Sequence, residues 1–228
     1  MKRLGESIWI FEGDTVQFFS MPYSTRMTIV KLASGGLWVH SPIKLTQSIT
    51  QQLHELGPVE HLIAPNHLHH LFLKEWTEAF PEAKVFGTDE VIKKRPDIHF
   101  DGSFNTPQQW PWSSDIETEL FTGSTMMEEC VFFHRLSHTL IVTDLIENFS
   151  AHHFKPWQRV IAGWVGILAP NGKMPLDWRL SFLFSKKQSR KHLEKILSWQ
   201  PKIIVMAHGE IVQEQASDFL DRSFKWLK

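Results

Sequence analysis

Cysteine occurs once in the 228 residues, at Cys130. A single thiol excludes an intramolecular disulfide and any paired-cysteine redox or zinc motif, and it fits a reducing compartment. Excess charge is also missing: 24 Lys and Arg stand against 25 Asp and Glu, for a formal net charge of −1. Without a broad basic field, nucleic acid is not expected as a partner. No apolar run approaches the ~18 residues of a membrane span. The first residues, MKRLGESIWIFEGD, break their apolar stretch too soon for a signal-peptide core. No membrane partner is expected, and a cytoplasmic location is. GxSxG, a glycine-rich phosphate loop and HExxH are all absent, which leaves serine-hydrolase, nucleotide-binding and zincin readings without their motifs.

What is present is the composition of a folded domain, with 42% hydrophobic and 21% charged residues. One domain over residues 1–228 is expected. The chain opens with short β-type runs at Ser7 to Phe11, Val16 to Phe19, Arg26 to Leu32 and Leu37 to His40, and Gly35-Gly36 between the last two reads as a hairpin turn. From Lys44 the spacing of Leu45, Ile49, Leu53 and Leu56 predicts a helix that stops at Gly57-Pro58. A strand over Val59 to Ala64, a helix around Leu68 to Phe80 and a short strand over Ala83 to Phe86 follow. The second half repeats this habit with strands at Glu129 to Phe133, Thr139 to Thr143 and Lys202 to Ala207, and helices near Lys191 to Trp199 and Ser217 to Trp226. The clusters Lys93-Lys94-Arg95 and Lys186 to Lys191 read as solvated faces. Two irregular stretches, Pro96 to Ile116 and Ala162 to Asp177, are rich in Gly, Pro and Trp and read as covering segments.

Three apolar runs end in residues that can bind a metal. Val59 to Ala64 leads into His67, His69 and His70, Thr139 to Thr143 into Asp144, and Lys202 to Ala207 into His208. Imidazole and carboxylate without thiolate suit zinc, iron or manganese. In an extended or turning segment His67 and His69 can project the same way, so the cluster makes sense as a loop before a helix. Either these residues hold a metal, or they form a polar loop that happens to be rich in histidine. Asp144 taken alone also fits a strand-end turn or cap. Gly209 after His208 would permit close backbone approach.

The order and spacing of LWVHSPIKLT, APNHLHHLFLKEW, CVFFHRLSHTLIVTDL and VMAHGE resemble a divergent branch of the metallo-β-lactamase fold superfamily, over roughly Trp9 to Val212. The resemblance implies an α/β fold of the αββα type, a four-layer sandwich of two mixed β-sheets flanked by helices, with a metal site at one edge. Aligned on the superfamily signature, Pro65 stands where the first histidine would be, His67 at the second, and His69-His70 where an aspartate-histidine pair is usual. Asp144 takes the place of the bridging aspartate and His208 that of the last histidine. The superfamily's third histidine should fall between Leu120 and Met127, where this chain has none. Both losses remove ligands from the same metal position. The resemblance therefore implies one divalent ion per chain (zinc, iron or manganese) held by His69, His70, Asp144 and His208 with His67 nearby.

The function expected on this basis is metal-dependent hydrolysis of a small ester, lactone, thioester or phosphoester, in which the ion activates water. The imidazole of His69 in place of a carboxylate weakens that expectation, because the aspartate often takes a proton from the attacking water. The alternatives are a non-catalytic binding module with a degenerate site and an iron-dependent oxidoreductase. His134 and His138 bracket a turn and are candidates for contacts to the ligands or the substrate, or for a polar turn alone. Arg179 is a candidate for an anionic substrate group, or an ordinary paired arginine.

Overall fold

The computed structural model describes residues 1–18 and 21–228; the Phe19 end of the expected Val16 to Phe19 run lies outside the described residues. In chain order the strands and helices are β1 (Lys2–Gly5), β2 (Ile8–Glu12), β3 (Val16–Phe18), β4 (Met21–Tyr23), β5 (Arg26–Lys31), β6 (Leu37–His40), α1 (Gln47–Leu56), β7 (Val59–Ala64), α2 (Leu73–Ala79), β8 (Lys84–Gly87), α3 (Asp89–Lys94), β9 (Gly102–Ser103) and β10 (Ile116–Phe121). They continue with β11 (Glu129–His134), β12 (Thr139–Ile141), a 3-10 turn at Ala151–His153, α4 (Pro156–Val165), α5 (Leu176–Leu180), α6 (Lys186–Ser198), β13 (Ile203–Val205) and α7 (Ala216–Ser223). The architecture is α/β, as the interleaved runs predict. Two compact units are traced by the chain: Met1–Asp14, Thr25–Glu117 and His134–Ser137 form the first, and Thr15–Ser24, Thr118–Phe133 and His138–Lys228 the second.

The first unit is built on a seven-stranded sheet in the order β1-β2-β5-β6-β7-β8-β9. Its first four strands pair antiparallel, with β5 and β6 joined by the predicted hairpin. From β6 onward the pairing is parallel, since α1 and α2 carry the chain back across the sheet each time. Thr46 caps α1 by accepting from the Ile49 amide. The helices cover one face of the sheet, where Leu37, Val39, Leu62 and Ala64 pack with Leu53, Leu73, Trp76 and Val91. Side chains alternate along a strand, so Trp38 and His61 point to the opposite face. There Trp112 packs edge-on against Trp38, His61 and Phe86 and stacks with Trp110. That is the covering role expected of the first irregular stretch.

The second unit is built on a four-stranded sheet, β10-β11-β12-β13. β12 and β13 run parallel, with Thr139 opposite Ile203 and Ile141 opposite Val205. The ribbon β3–β4 pairs Val16 with Tyr23. Leu193 and Ile196 of α6 and Phe219 and Leu220 of α7 are buried, and Phe121 sits edge-on to Phe182 and tilted against Phe224.

Two sequence expectations change here. The stretch Ala162 to Asp177 is not irregular throughout, because α4 runs to Val165 and α5 starts at Leu176. Pro156 sits at the first turn of α4, where a missing N–H costs nothing, and Gly166 ends the helix in a left-handed conformation. The last turn of α4 therefore lies inside the stretch expected to be irregular, whose glycines mask it. The helix expected around Leu68 to Phe80 begins only at Leu73, and residues 67–72 form turns.

Trp76 is fully buried, and its indole Nε1 donates to the Ile43 carbonyl at 2.7 Å. Trp76→Ala should therefore lower the unfolding free energy by about 3–5 kcal/mol, read from urea unfolding of the chain followed by circular dichroism. A loss below about 1 kcal/mol would show that this ring is not a central packing element.

Candidate metal centre

Parallel pairing of β12 and β13 delivers two ligand-type side chains to one sheet edge. Ile141 lies opposite Val205, and three residues beyond each of them stand Asp144 and His208. Both side chains are buried, and His208 Nε2 lies 3.1 Å from Asp144 Oδ1. The turn that carries Asp144 is pinned by Glu129 at the head of β11. This fully buried carboxylate accepts from the amides of Thr143 (2.8 Å), Asp144 (2.8 Å) and Leu145 (3.1 Å). Burial and the neighbouring Asp144 push Glu129 up to about 7, against the pull of those amides.

The backbone around His208 is held just as closely. Gly209 has φ +93, and a Cβ there would lie 2.3 Å from the Asn148 carbonyl oxygen, so only glycine fits. Asn148 donates to the His208 carbonyl at 3.3 Å, and Glu210 donates to the Asn148 carbonyl at 2.7 Å. The Nδ1 of His208 lies 2.6 Å from the Ser24 carbonyl, which can only accept. Nδ1 therefore carries a proton, and in the neutral ring Nε2 carries a lone pair aimed at a carboxylate oxygen. Two lone pairs at 3.1 Å repel unless a cation lies between them, either a second proton or a metal ion. Burial alone lowers the His208 imidazole, but the hydrogen bond and charge of Asp144, helped by Glu147 and the Ser24 carbonyl, outweigh it and the net shift is upward.

A third buried carboxyl, Glu147, accepts from the Tyr23 hydroxyl at 3.1 Å. Burial pushes Glu147 up to about 8, opposed by His208 and reinforced by Asp144. Burial and Glu147 likewise raise the Tyr23 phenol. The Tyr23 ring stands edge-on to His208 at 5.0 Å, and Phe149 lies parallel to His208 at 6.3 Å. His153 stacks on Phe149 and donates from Nε2 to the Pro22 carbonyl. Three carboxyls thus share a buried region with His208, an arrangement that favours a bound cation.

The histidines of the first unit occupy the turn after β7. Buried Asn66 fixes it by accepting from the amides of Leu68 (2.9 Å) and His69 (3.2 Å). His67 Nδ1 meets Glu90 at 2.6 Å, and His69 Nδ1 meets the Ser41 hydroxyl at 2.5 Å. In both, a proton on Nδ1 leaves Nε2 able to ligate. His70 differs. Its Nδ1 lies 3.2 Å from Arg95, whose guanidinium only donates, so the ring proton sits on Nε2 and neither nitrogen offers a lone pair to a metal. Burial, with Lys94 and Arg95 adding to it, pushes His70 down to about 4. The role this geometry gives His70 is to anchor α3, since Arg95 also donates to its carbonyl.

The remaining candidates have structural partners. His134 is buried at the end of β11, where burial pushes it down to about 4 and its Nδ1 meets the Ser137 hydroxyl at 2.7 Å. His138 takes a left-handed conformation (φ 50), and its carbonyl accepts from the Lys202 amide. Arg179 donates to the Val165 carbonyl at 2.9 Å and so ties α5 to the end of α4. Glu129, Glu147 and Tyr23 are not among the residues that the sequence singles out. The available signal is an acid at the edge of an apolar run, as in Glu129-Cys130-Val131-Phe132-Phe133 and Leu145-Ile146-Glu147.

Comparison with known proteins places the fold. The model of the family described as Domain of unknown function (DUF4336) matches residues 5–158, more than half of the chain. Comparison with curated protein sequences returns no match. Among solved structures, the chain is similar to a metallo-β-lactamase from Pontibacter korlensis, with TM-score 0.65, 12% identity and coverage of 99% of this chain and 97% of that one. It is also similar to a metallo-β-lactamase from Hirschia baltica (TM-score 0.63, 11% identity, 99% and 95% covered). The Flv1 flavodiiron core from Synechocystis matches with TM-score 0.63 and 12% identity, covering 99% of this chain and 60% of that one. At these identities the likeness shows the fold, which is that of the metallo-β-lactamases.

Glu129 and Glu147 bind protons more tightly in the folded chain than in the unfolded one, where a glutamate titrates near 4.5. Their contribution to stability is complete below that value and is lost as pH rises through about 7 and about 8. Chelator-treated protein should lose roughly 2–4 kcal/mol of stability from mildly acid to mildly alkaline pH, and Glu147→Gln should flatten much of that slope. Urea unfolding across the range checks it; an unchanged slope in the variant would contradict the assignment.

Proposed function

We propose that this chain, which belongs to the DUF4336 family and has the metallo-β-lactamase fold, is a metal-dependent hydrolase acting on a small ester, lactone, thioester or phosphoester. The observation that carries the reading is His208 Nε2 facing Asp144 in a region that also buries Glu129 and Glu147. Carboxylate and imidazole form a donor set suited to zinc, iron or manganese. Asp144 and His208 are the ligands that the second unit supplies. His70 is outside the set because Arg95 occupies its Nδ1. One ion per chain follows, since Pro65 and the Leu120 to Met127 segment offer no imidazole for a second position.

A bound divalent ion supplies Lewis acidity and a water acidified toward neutrality. The protein's own residues do the rest. Glu129 holds the Asp144 turn, and the Ser24 carbonyl fixes the tautomer of His208. Glu147, buried in the same region and hydrogen-bonded to Tyr23, is the carboxyl that this reading assigns to proton transfer. The fold likeness to a flavodiiron core supports a second reading, iron-based redox chemistry at the same ligands.

The test loads chelator-treated protein separately with zinc, manganese and ferrous iron, dialyses it and measures bound metal. One ion per chain is expected. Asp144→Asn and His208→Ala should each lose nearly all of it, whereas His134→Ala and His70→Ala should retain it. Hydrolysis of an ester, lactone, thioester and phosphoester panel by the zinc or manganese form supports the hydrolase. Selective retention of iron with reversible redox changes supports the oxidoreductase, and no metal uptake under any loading supports a non-catalytic module.

A further inference from the structure

The second unit exposes its apolar side chains in one place. Twelve large hydrophobic residues are exposed among the described residues, and eight of them fall between Trp157 and Phe184. On α4, Trp157, Val160, Ile161 and Trp164 are spaced i, i+3, i+4 and i+7, which puts them on one helical stripe. That stripe faces outward, with Trp164 81% and Val160 57% exposed, while the buried positions are Gln158 and Ala162. A helix that packs its apolar stripe into the core would do the opposite. The neighbouring α5 and the turn after it add Leu180, Leu183 and Phe184, the last 101% exposed. Single exposed apolar side chains are ordinary, but eight within 28 residues are the pattern of an interaction surface.

The same segment is strongly basic. From Lys155 to Lys191 there are eight Lys and Arg and one acid, Asp177, in a chain whose net charge is −1. Lys155, Arg159, Lys187 and Lys191 are exposed. A partner for this face must therefore be apolar in depth and anionic at its surface. We infer that the α4–α5 face of the second unit docks on the surface of an anionic lipid membrane. Tryptophan, leucine and phenylalanine enter the boundary of the acyl chains, and the exposed cations of the same chain segment, Lys155 and Arg159 at α4 among them, meet the headgroups.

A second copy of the chain is a poorer match, because a two-fold interface would set the same basic rim against itself. Among the described residues no helix is long and apolar enough to cross a membrane, and the docking inferred here is peripheral. The sequence expectation of no membrane partner rested on the lack of a spanning run, which does not bear on surface binding. The inference is independent of the metal site.

The test is vesicle flotation of the full chain with phosphatidylcholine alone and with phosphatidylcholine containing phosphatidylglycerol. Binding should be at least about tenfold tighter to the anionic vesicles and should weaken with added salt. Trp164→Ser combined with Phe184→Ser should abolish it with an unchanged circular dichroism spectrum and melting temperature, since both side chains are solvent-exposed. Lys187→Glu with Lys191→Glu should reduce binding to the anionic vesicles only. Absence of flotation, or flotation indifferent to the Trp164 and Phe184 changes, overturns the inference. So does a dimer that the same double substitution dissociates, or binding that single-stranded polynucleotide captures in place of vesicles.

Discussion

An imidazole nitrogen facing a carboxylate oxygen inside a protein needs a positive charge between the two, and this constraint organises the second unit. The Ser24 carbonyl takes the Nδ1 proton of His208, so the other nitrogen meets Asp144 with its lone pair. Burial removes the water that would otherwise screen them. Glu129 and Glu147 add further acid to the same interior, and both respond by holding protons at pH values where an exposed glutamate has lost them. Buried acid of this kind costs stability unless something neutralises it. Its persistence in an otherwise apolar unit is an argument for function rather than for folding.

The backbone meets the constraint by register. β12 and β13 are parallel neighbours, so both chains leave the sheet at the same edge, and equal offsets from a paired position place Asp144 and His208 side by side. The Glu129 carboxylate collects three amides from the turn after β12, and Gly209 allows the turn after β13 to close onto Asn148. The site is therefore fixed by main-chain hydrogen bonds on both sides, which is how a rigid scaffold holds ligands to within a few tenths of an ångström. In the first unit, Asn66 does similar work for the turn after β7.

Much of this was legible in the sequence because the signals are local. The alternating runs of β5 and β6 with Gly35-Gly36 between them, the continuous apolar run of β7 and the histidine-rich turn after it all follow from neighbours in the chain. So does the placing of Asp144 and His208 at the ends of apolar strands. What escaped notice depends on partners far away in sequence. Glu129 lies 15 residues from Asp144, and nothing local marks it as the group that binds that turn. The Arg95 contact that removes His70 from the ligand set spans 25 residues. Helix α4 is obscured for another reason: its apolar stripe is present, but its last turn runs into the glycine- and proline-rich stretch from Ala162, and its apolar side chains face outward.

The most direct test of the central claim is a crystal of the chain loaded with zinc, measured on both sides of the zinc absorption edge. An anomalous peak about 2.0–2.2 Å from His208 Nε2 and from an Asp144 carboxylate oxygen, at one position per chain, is the predicted result. A map with no peak there, and with His208 and Asp144 still in direct contact, would show that a proton alone fills the gap.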